Sequence, residues 1–302
     1  MKIYLRYIAK PNGSDNVQVS VNSDRVITFQ LEDTKITVTK DRYVFQLEKT
    51  IELDENEINE LKDLEKFYEN GAVSYKIAEP LFDKMKQIVE YLKFFYGISE
   101  LDENFTSNGV PEWSEDGVAW NKIPMKYRAT WKPSGPVYYL PESLLPWLPL
   151  IAKKGIKPFF AFNHLHKAFN EFNTRHQWIN ATICAELAFK EFLATYDDKC
   201  VSLITYAPSP PLPILYKQVL FEQTGEKSPF AKELGDGATI RNNLIHKPKY
   251  PSPSKDETNE YLHVVQSAIL HLQYLLYKDI PVFEFFFKRS LSQLARIRND
   301  KK

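Results

Sequence analysis

The sequence predicts an α+β protein, with a β-rich N-terminal domain over residues 1–155 and an all-α helical bundle over residues 156–302. Three observations support this prediction. Apolar and polar residues alternate along the first 50 residues, which is typical of strands with one buried face. From about residue 157 onwards, apolar residues recur every three or four positions, which is typical of helices. A chain of 302 residues also has the length of about two ordinary domains.

The composition is that of a folded protein in a reducing compartment. Hydrophobic residues make up 43% of the chain and charged residues 26%, and the two cysteines are too few for a disulfide framework. No apolar run approaches the ~18–20 residues of a membrane span, and Lys2, Arg6 and Lys10 leave no apolar signal-peptide core. We therefore expect a cytoplasmic protein with no membrane partner.

The N-terminal domain is predicted to open with an antiparallel β meander. Its alternating apolar positions are Val17, Val19, Val21, Ile36, Val38, Tyr43, Phe45 and Leu47. Clusters of turn-forming residues, such as the P-N-G-S-D that follows Lys10, separate the runs. This pattern is expected when each strand has one face in the core and the other in solvent.

Two helices are predicted next. Asp54 and Glu57 have the spacing of a capping box, and apolar residues then share one helix face until Gly71. The residues of that face are Ile58, Leu61, Leu64 and Phe67. The second helix is predicted to hold Pro80 in its first turn and to end at Gly97.

The remainder of the N-terminal domain, residues 98–150, is rich in proline and tryptophan and is expected to be irregular. The chain is neutral overall, but residues 1–150 carry 18 Lys and Arg against 24 Asp and Glu, and residues 151–302 carry 21 against 15. The second half is therefore the half that can attract a polyanion such as RNA, although a local charge bias on a solvated surface explains the same counts.

The C-terminal bundle is predicted to contain four or more antiparallel helices joined by short or medium loops. In chain order they span residues 164–196 with a break at Asn173–Thr174, then 215–221, 236–247, 257–277 and 283–297. Prolines at 208, 210, 211 and 213 predict a loop before the short helix. Pro248 predicts the end of the helix over 236–247, because the residue before a proline disfavours the helical conformation.

The most informative segment is I-R-N-N-L-I-H, residues 240–246. On a helix, Asn242 and His246 are one turn apart and lie on the same face. Arg241 lies ~140° away from His246, so the two side chains cannot both point straight at one atom. The long arginine side chain can still swing toward a neighbouring groove.

These side chains suit the cleavage of RNA by attack of its own 2′-hydroxyl on the adjacent phosphate. Arginine is a fixed cation whose planar fork fits phosphate. Histidine has a pKa near neutrality and can donate or accept a proton. The reaction needs charge stabilisation and proton transfer, and it can run without a metal. One such histidine per chain leaves either the acid or the base missing, so we expect a symmetric homodimer to supply the second copy.

The segment resembles the R-x-x-x-x-H motif of the HEPN superfamily, whose active members often carry a polar residue, here Asn242, directly after the arginine. The run A-T-I-C-A-E-L-A-F-K is similar to the long early helix of that family, in which an acidic residue, here Glu186, lies among small and apolar ones. The resemblance covers about residues 160–280, including the order of the helices. It implies a HEPN-like bundle and a metal-independent endoribonuclease that acts as a toxin or an antiviral defence effector. Its catalytic residues would be Arg241, Asn242 and His246.

Other polar residues are weaker candidates. Lys247 and Glu186 are predicted to contact the substrate, although a structural or surface role for Glu186 is equally open. His164 and His166 are two residues apart and lie on nearly opposite faces of a helix, so we expect no metal site. The sequence contains no P-loop and no G-x-G-x-x-G motif, and we expect no cofactor.

The sequence is consistent with three functions. The first is a ribonuclease that dimerises through its C-terminal bundle, with an N-terminal domain that senses a trigger molecule or restrains the nuclease, and with an antitoxin as a possible partner. The second is a non-catalytic HEPN-like module that dimerises and binds RNA, a nucleotide or a partner protein. The third is an interaction scaffold built from the aromatic-rich N-terminal half. Arg241, Asn242 and His246 together favour the first, because a module that only binds does not need all three.

Overall fold

The computed structural model has the predicted α+β architecture. Its chain divides into two compact units, Met1–Pro158 and Phe159–Lys302, whose boundary lies close to the predicted one at 155. The structure describes residues 1–13, 18–21, 26–38, 45–63, 71–95, 101–107, 109–125, 137–140, 145–206 and 210–300. Several residues used in the sequence predictions lie outside these ranges, namely Val17, Tyr43, Leu64, Phe67, Gly97 and Pro208.

The N-terminal unit is built on a sheet with a long central strand. Its described strands are β1 (Lys2–Gly13), β2 (Gln18–Val21), β3 (Ile27–Leu31), β4 (Thr34–Val38), β5 (Phe45–Glu52), β6 (Leu101–Ser107), β7 (Glu112–Ser114), β8 (Asn121–Lys122) and β9 (Val137–Leu140). The strand order is β3-β4-β5-β1-β2-β9, and β6 and β7 also pair with β1. Strands β3, β4 and β5 form the predicted antiparallel meander.

Two features of the sheet differ from the prediction. Strand β2 pairs with β9 in parallel, so the sheet is not antiparallel throughout. Strands β6 to β9 lie in the segment that was expected to be irregular, and that expectation is wrong. These strands are short, and all but the β7–β8 pairing depend on hydrogen bonds to β1 or β2, which lie far away in sequence. Local periodicity therefore does not reveal them.

The two faces of the sheet differ in polarity, as the alternation in the sequence predicts. Ile3, Leu5 and Tyr7 of β1 are buried. Arg6 lies on the opposite face, where its guanidinium is 2.5 Å from the carboxylate of Glu112 on β7. The same guanidinium lies 4.1 Å from the centre of the Trp120 ring, so a cation–π contact adds to the ion pair.

The helices within the described part of the N-terminal unit are α1 (Glu55–Lys62), α2 (Ala72–Phe94) and α3 (Trp147–Lys153). The capping box of α1 is confirmed, because Glu57 N–H donates to Asp54 Oδ1 at 2.9 Å and Asp54 N–H donates to Glu57 Oε2 at 3.1 Å. Helix α2 begins earlier than predicted, after Gly71 at φ 60°, so Pro80 lies inside it. The buried face of α2 already starts at Val73, and this packing outweighs the one hydrogen bond that proline cannot donate.

The C-terminal unit is built from helices. They are α4 (Ala161–Asn170), α5 (Thr174–Tyr196), α6 (Cys200–Tyr206), α7 (212–224), α8 (Ala231–His246), α9 (Lys255–Leu276) and α10 (Pro281–Asn299). Helix α7 contains a π-helical turn over Leu215–Val219. Within the described residues, no helix is both long and apolar enough to cross a membrane.

The helix boundaries agree with the sequence where a capping residue marks them. The predicted break before Thr174 is confirmed, because the side chain of Asn173 accepts a hydrogen bond from Arg175 N–H at 2.9 Å. Helix α6 was not predicted. Pro213 lies in the first turn of α7 rather than in a loop, at a position where the missing N–H of proline is not needed.

Helices α5, α8 and α9 meet at a buried aromatic pair. The rings of Trp178 in α5 and Tyr261 in α9 stack with their centroids 4.3 Å apart and their planes at 12°. The indole N–H of Trp178 donates to the carbonyl oxygen of Gly237 in α8 at 3.0 Å. The hydroxyl of Thr182 lies 3.0 Å from that of Tyr261. The polar atoms of Trp178 and Tyr261 therefore each have a hydrogen-bond partner, so both rings are buried without an unsatisfied group. The bond from Trp178 to Gly237 holds α8 in place.

Candidate active site

Helix α8 carries the R-x-x-x-x-H motif in its last turns. Pro248 follows the helix, and Lys247 N–H closes it by donating to the carbonyl oxygen of Asn243 at 2.9 Å. The helix packs closely at Gly237, where a Cβ atom would lie 2.2 Å from the ring of Tyr261. Leu244, two turns further along, is also buried. Gly237 and Leu244 therefore fix the helix against its neighbours, and its outer face can carry polar side chains.

Arg241 and Asn242 are joined by a hydrogen bond. Nη1 of Arg241 donates to Oδ1 of Asn242 at 3.0 Å. Asn242 and His246 lie one turn apart on the same helix face. The bond therefore links the guanidinium to a residue on the face that carries His246, although Arg241 itself lies ~140° from His246 on the helix. Nε of Arg241 is buried and has no hydrogen-bond partner among the described residues.

His246 is the last residue of α8 and is exposed. Its ring has no hydrogen bond, ion pair or ring contact with any other residue that the structure describes. Its neighbour Ile245 is also exposed, with 43% of its surface accessible. The imidazole is therefore open to a ligand, and an apolar side chain lies beside it.

Arg175, which the sequence interpretation did not single out, lies against the same end of α8. Its guanidinium donates through Nη2 to the carbonyl oxygen of Leu244 and through Nη1 to that of Tyr250, the latter at 3.4 Å. One feature of the sequence indicates a special role for Arg175. A cation in the first turn of a helix opposes the helix dipole, so Arg175 at the start of α5 is unfavourable unless its charge is used elsewhere.

Five basic side chains thus surround the C-terminal end of α8, and we call this group the basic end. They are Arg175, Arg241, His246, Lys247 and Lys249. None of the five forms an ion pair with a carboxylate within the described part of the chain. Lys247 and Lys249 are exposed. The lysine and arginine side chains of this group carry positive charge without a carboxylate partner among the described residues, so they attract an anion of matching spacing.

Glu186 forms its ion pair with a residue outside the basic end. Its carboxylate pairs with Lys190 at 3.1 Å, one turn along α5. It makes no hydrogen bond with Arg241. The structure therefore brings Arg241 and Asn242 together, places His246 and Lys247 at the end of the same helix, and assigns Glu186 to a surface ion pair on another helix.

Two other histidines and one cysteine of the C-terminal unit have different surroundings. Burial lowers the pKa of His263, and it lowers the pKa of His271 to about 4, so His271 is neutral at pH 7. Burial raises the pKa of the Cys184 thiol to about 12, which keeps it from acting as a nucleophile. In the ranges that the structure describes, no three His, Cys, Asp or Glu side chains are grouped so as to hold a metal ion.

The chain was compared with protein-family models, curated proteins and solved structures. No family model, no curated protein and no solved structure matches the chain. The functional interpretation therefore depends on the motif residues and on the contacts described above.

Proposed function

We propose that the protein is a metal-independent endoribonuclease whose active site is the end of α8 that carries Arg241, Asn242 and His246. The observation that carries the proposal is the Arg241–Asn242 hydrogen bond, which links a phosphate-binding cation to the helix face of an exposed histidine. The basic end supplies further cations for a polyanionic substrate. The alternative of a HEPN-like module that only binds RNA predicts binding without cleavage.

Arg241, His246 and Lys247 act on the substrate in this proposal, and Asn242 holds the guanidinium of Arg241 through its hydrogen bond. The 2′-oxygen of the RNA loses its proton and bonds to the adjacent phosphorus, while the bond from phosphorus to the 5′-oxygen of the next nucleotide breaks and that oxygen gains a proton. Arg241 binds the non-bridging phosphate oxygens and stabilises the charge that builds up on them. His246 carries one of the two protons. Lys247 contacts a phosphate, and Glu186, whose carboxylate pairs with Lys190, stays a predicted substrate contact.

A homodimer completes the proposed site. Two proton transfers are needed, and one chain places a single His246 at the end of α8. A two-fold axis near this end of α8 brings two copies of Arg241 and His246 into one groove. The exposed Ile245 next to His246 offers apolar surface for such a contact. The N-terminal unit then senses a trigger or restrains the nuclease, as in a toxin or an antiviral defence effector.

The first test concerns metals and product ends. Cleavage of a mixed single-stranded RNA by the purified protein is expected to continue in excess EDTA, because the nucleophile comes from the RNA and the charge is stabilised by Arg241. The products are expected to carry 2′,3′-cyclic phosphate and 5′-hydroxyl ends, which phosphatase and kinase treatment followed by gel analysis identifies. Loss of activity in EDTA, or 5′-phosphate ends, contradicts the proposed chemistry. Binding without cleavage supports the alternative.

The second test concerns the shared site. Mixing an Arg241→Ala chain with a His246→Ala chain is expected to restore part of the activity that each variant lacks alone, because the mixed dimer keeps one arginine and one histidine in the groove. Activity is measured after co-refolding or co-expression of the two chains, and the mass of the complex by sedimentation. A wild-type monomer that is fully active at the assay concentration shows that the composite site is wrong.

A further inference from the structure

Phe172, in the turn between α4 and α5, has its whole side chain in solvent. Its accessible fraction is 100%, the highest of the exposed large apolar side chains among the described residues. A benzyl group that contacts nothing gains none of the free energy that burial would give it. Single exposed apolar residues are common, so exposure alone assigns no role. The turn that holds Phe172 is fixed by hydrogen bonds, and Arg175, which follows it, contacts the end of α8.

The turn that carries Phe172 is held by its own hydrogen bonds. Oε1 of Glu171 accepts from the N–H groups of Phe172 at 2.9 Å and Asn173 at 3.1 Å. Oδ1 of Asn173 in turn accepts from the N–H groups of Arg175 at 2.9 Å and His176 at 3.4 Å. The aromatic ring is therefore presented on a fixed backbone, so binding through it costs little ordering entropy.

The same turn is tied to the basic end. Arg175, three residues after Phe172, donates to the carbonyl oxygens of Leu244 and Tyr250, on either side of His246. Three residues span at most ~10 Å. The backbone of Phe172 therefore lies within ~10 Å of that of Arg175, one member of the basic end, a separation that a few nucleotides can span.

We infer that Phe172 is a stacking platform for a nucleobase of the bound RNA, next to the phosphate site at the basic end. The inference rests on the proposed function and adds a determinant of substrate binding to it. A planar ring beside a group of cations is the combination by which proteins bind single-stranded nucleic acid, since the cations bind the backbone and the ring binds a base face. Every base has such a face, so Phe172 contributes affinity for unpaired RNA without selecting a sequence.

The test measures binding separately from cleavage. The probe is a short, fluorescently labelled, single-stranded 2′-O-methyl RNA, which has no free 2′-hydroxyl and is not cleaved. Phe172→Ala is expected to weaken its binding by about tenfold in fluorescence anisotropy. Phe172→Trp is expected to bind like the wild type, because it keeps a stacking ring, whereas Phe172→Leu is expected to weaken binding although it keeps apolar surface.

Two controls make the test specific. Phe160→Ala removes another exposed aromatic ring, 60% accessible, at the opposite end of α4, and it is expected to leave binding unchanged. An abasic oligonucleotide with the same backbone is expected to bind equally to the wild type and to Phe172→Ala, because it has no base to stack.

Several results overturn the inference. These are no binding of the probe by the wild type, equal binding by wild type and Phe172→Ala, or an equal loss with the abasic probe. A Phe172→Ala protein that sediments as a smaller species than the wild type shows instead that the ring is covered by a second copy of the chain. Cleavage of unmodified RNA is assayed in parallel. If cleavage is absent while binding depends on Phe172, the nuclease proposal fails and the stacking platform stands.

Discussion

Arg241→Ala and His246→Ala are each expected to lower the rate of RNA cleavage by about 1,000-fold or more. Arg241 is proposed to stabilise the charge on the phosphate in the transition state, and the loss of one such group typically costs about 100- to 1,000-fold. His246 is proposed to transfer a proton, which is worth about 100- to 10,000-fold. In a symmetric dimer both copies are lost at once, so the combined effect lies at the upper end of these ranges.

The measurement is the initial rate of cleavage of a fluorogenic RNA, with circular dichroism and thermal unfolding to check the fold. Arg241 is half-buried, and His246 is exposed with no hydrogen bond, ion pair or ring contact to another described residue, so the fold is expected to be retained. Matched controls are His164→Ala and Arg296→Ala, which remove the same residue types from other helices of this unit. Cleavage at the wild-type rate by either active-site variant rejects the assignment.

Gly237→Ala is expected to destabilise the C-terminal unit by about 3 kcal/mol, the upper part of the range for overpacking a core. A Cβ atom at Gly237 would lie 2.2–2.3 Å from three atoms of the Tyr261 side chain, two ring carbons and the phenolic oxygen. That ring has little room to move, because it stacks on Trp178 at 4.3 Å and its hydroxyl is 3.0 Å from that of Thr182. The ~1 kcal/mol that alanine gains over glycine inside a helix does not offset this clash.

Thermal unfolding followed by circular dichroism measures this effect, with an expected fall in Tm of roughly 8 °C. Asp236→Ala provides the matched control, because the neighbouring residue is exposed and an alanine there meets no ring. An unchanged Tm for Gly237→Ala means that α8 does not pack on Tyr261 as described. RNA cleavage by Gly237→Ala is expected to fall together with stability, since the same helix carries Arg241 and His246.

The two predictions concern different parts of one helix: Gly237 and His246 lie on opposite faces of α8, whereas Arg241, one turn after Gly237, lies near the inner face with its Nε buried. The inner face of α8 determines where the helix lies, through Gly237 and its contact with Trp178 and Tyr261. The outer face presents Asn242 and His246, and Arg241 is linked to that face by its hydrogen bond to Asn242. A chain that loses the inner contact loses the site, whereas a chain that loses the outer side chains keeps its fold. Comparing the variants therefore separates structural from catalytic effects within sixteen residues.

The α+β class, the capping box at Asp54 and the break at Asn173 were predictable from the sequence alone. Each depends on residues that are close along the chain. Strand alternation follows from the two-residue period of a strand, and a helix cap from a side chain that reaches a backbone N–H two or three residues away. The residues Arg241, Asn242 and His246 are also close along the chain, and they were singled out because the segment resembles the R-x-x-x-x-H motif of a known family.

Only the tertiary structure determined which residues from distant parts of the chain meet. The short strands β6 to β9 take partners in β1, β2 and one another, Arg175 lies against the last turn of α8, and Gly237 packs under the ring of Tyr261. A helix pattern shows that one face of α8 is buried but not which side chains cover it. The partner depends on the packing of whole helices against each other, which is a property of the assembled core and not of any local period.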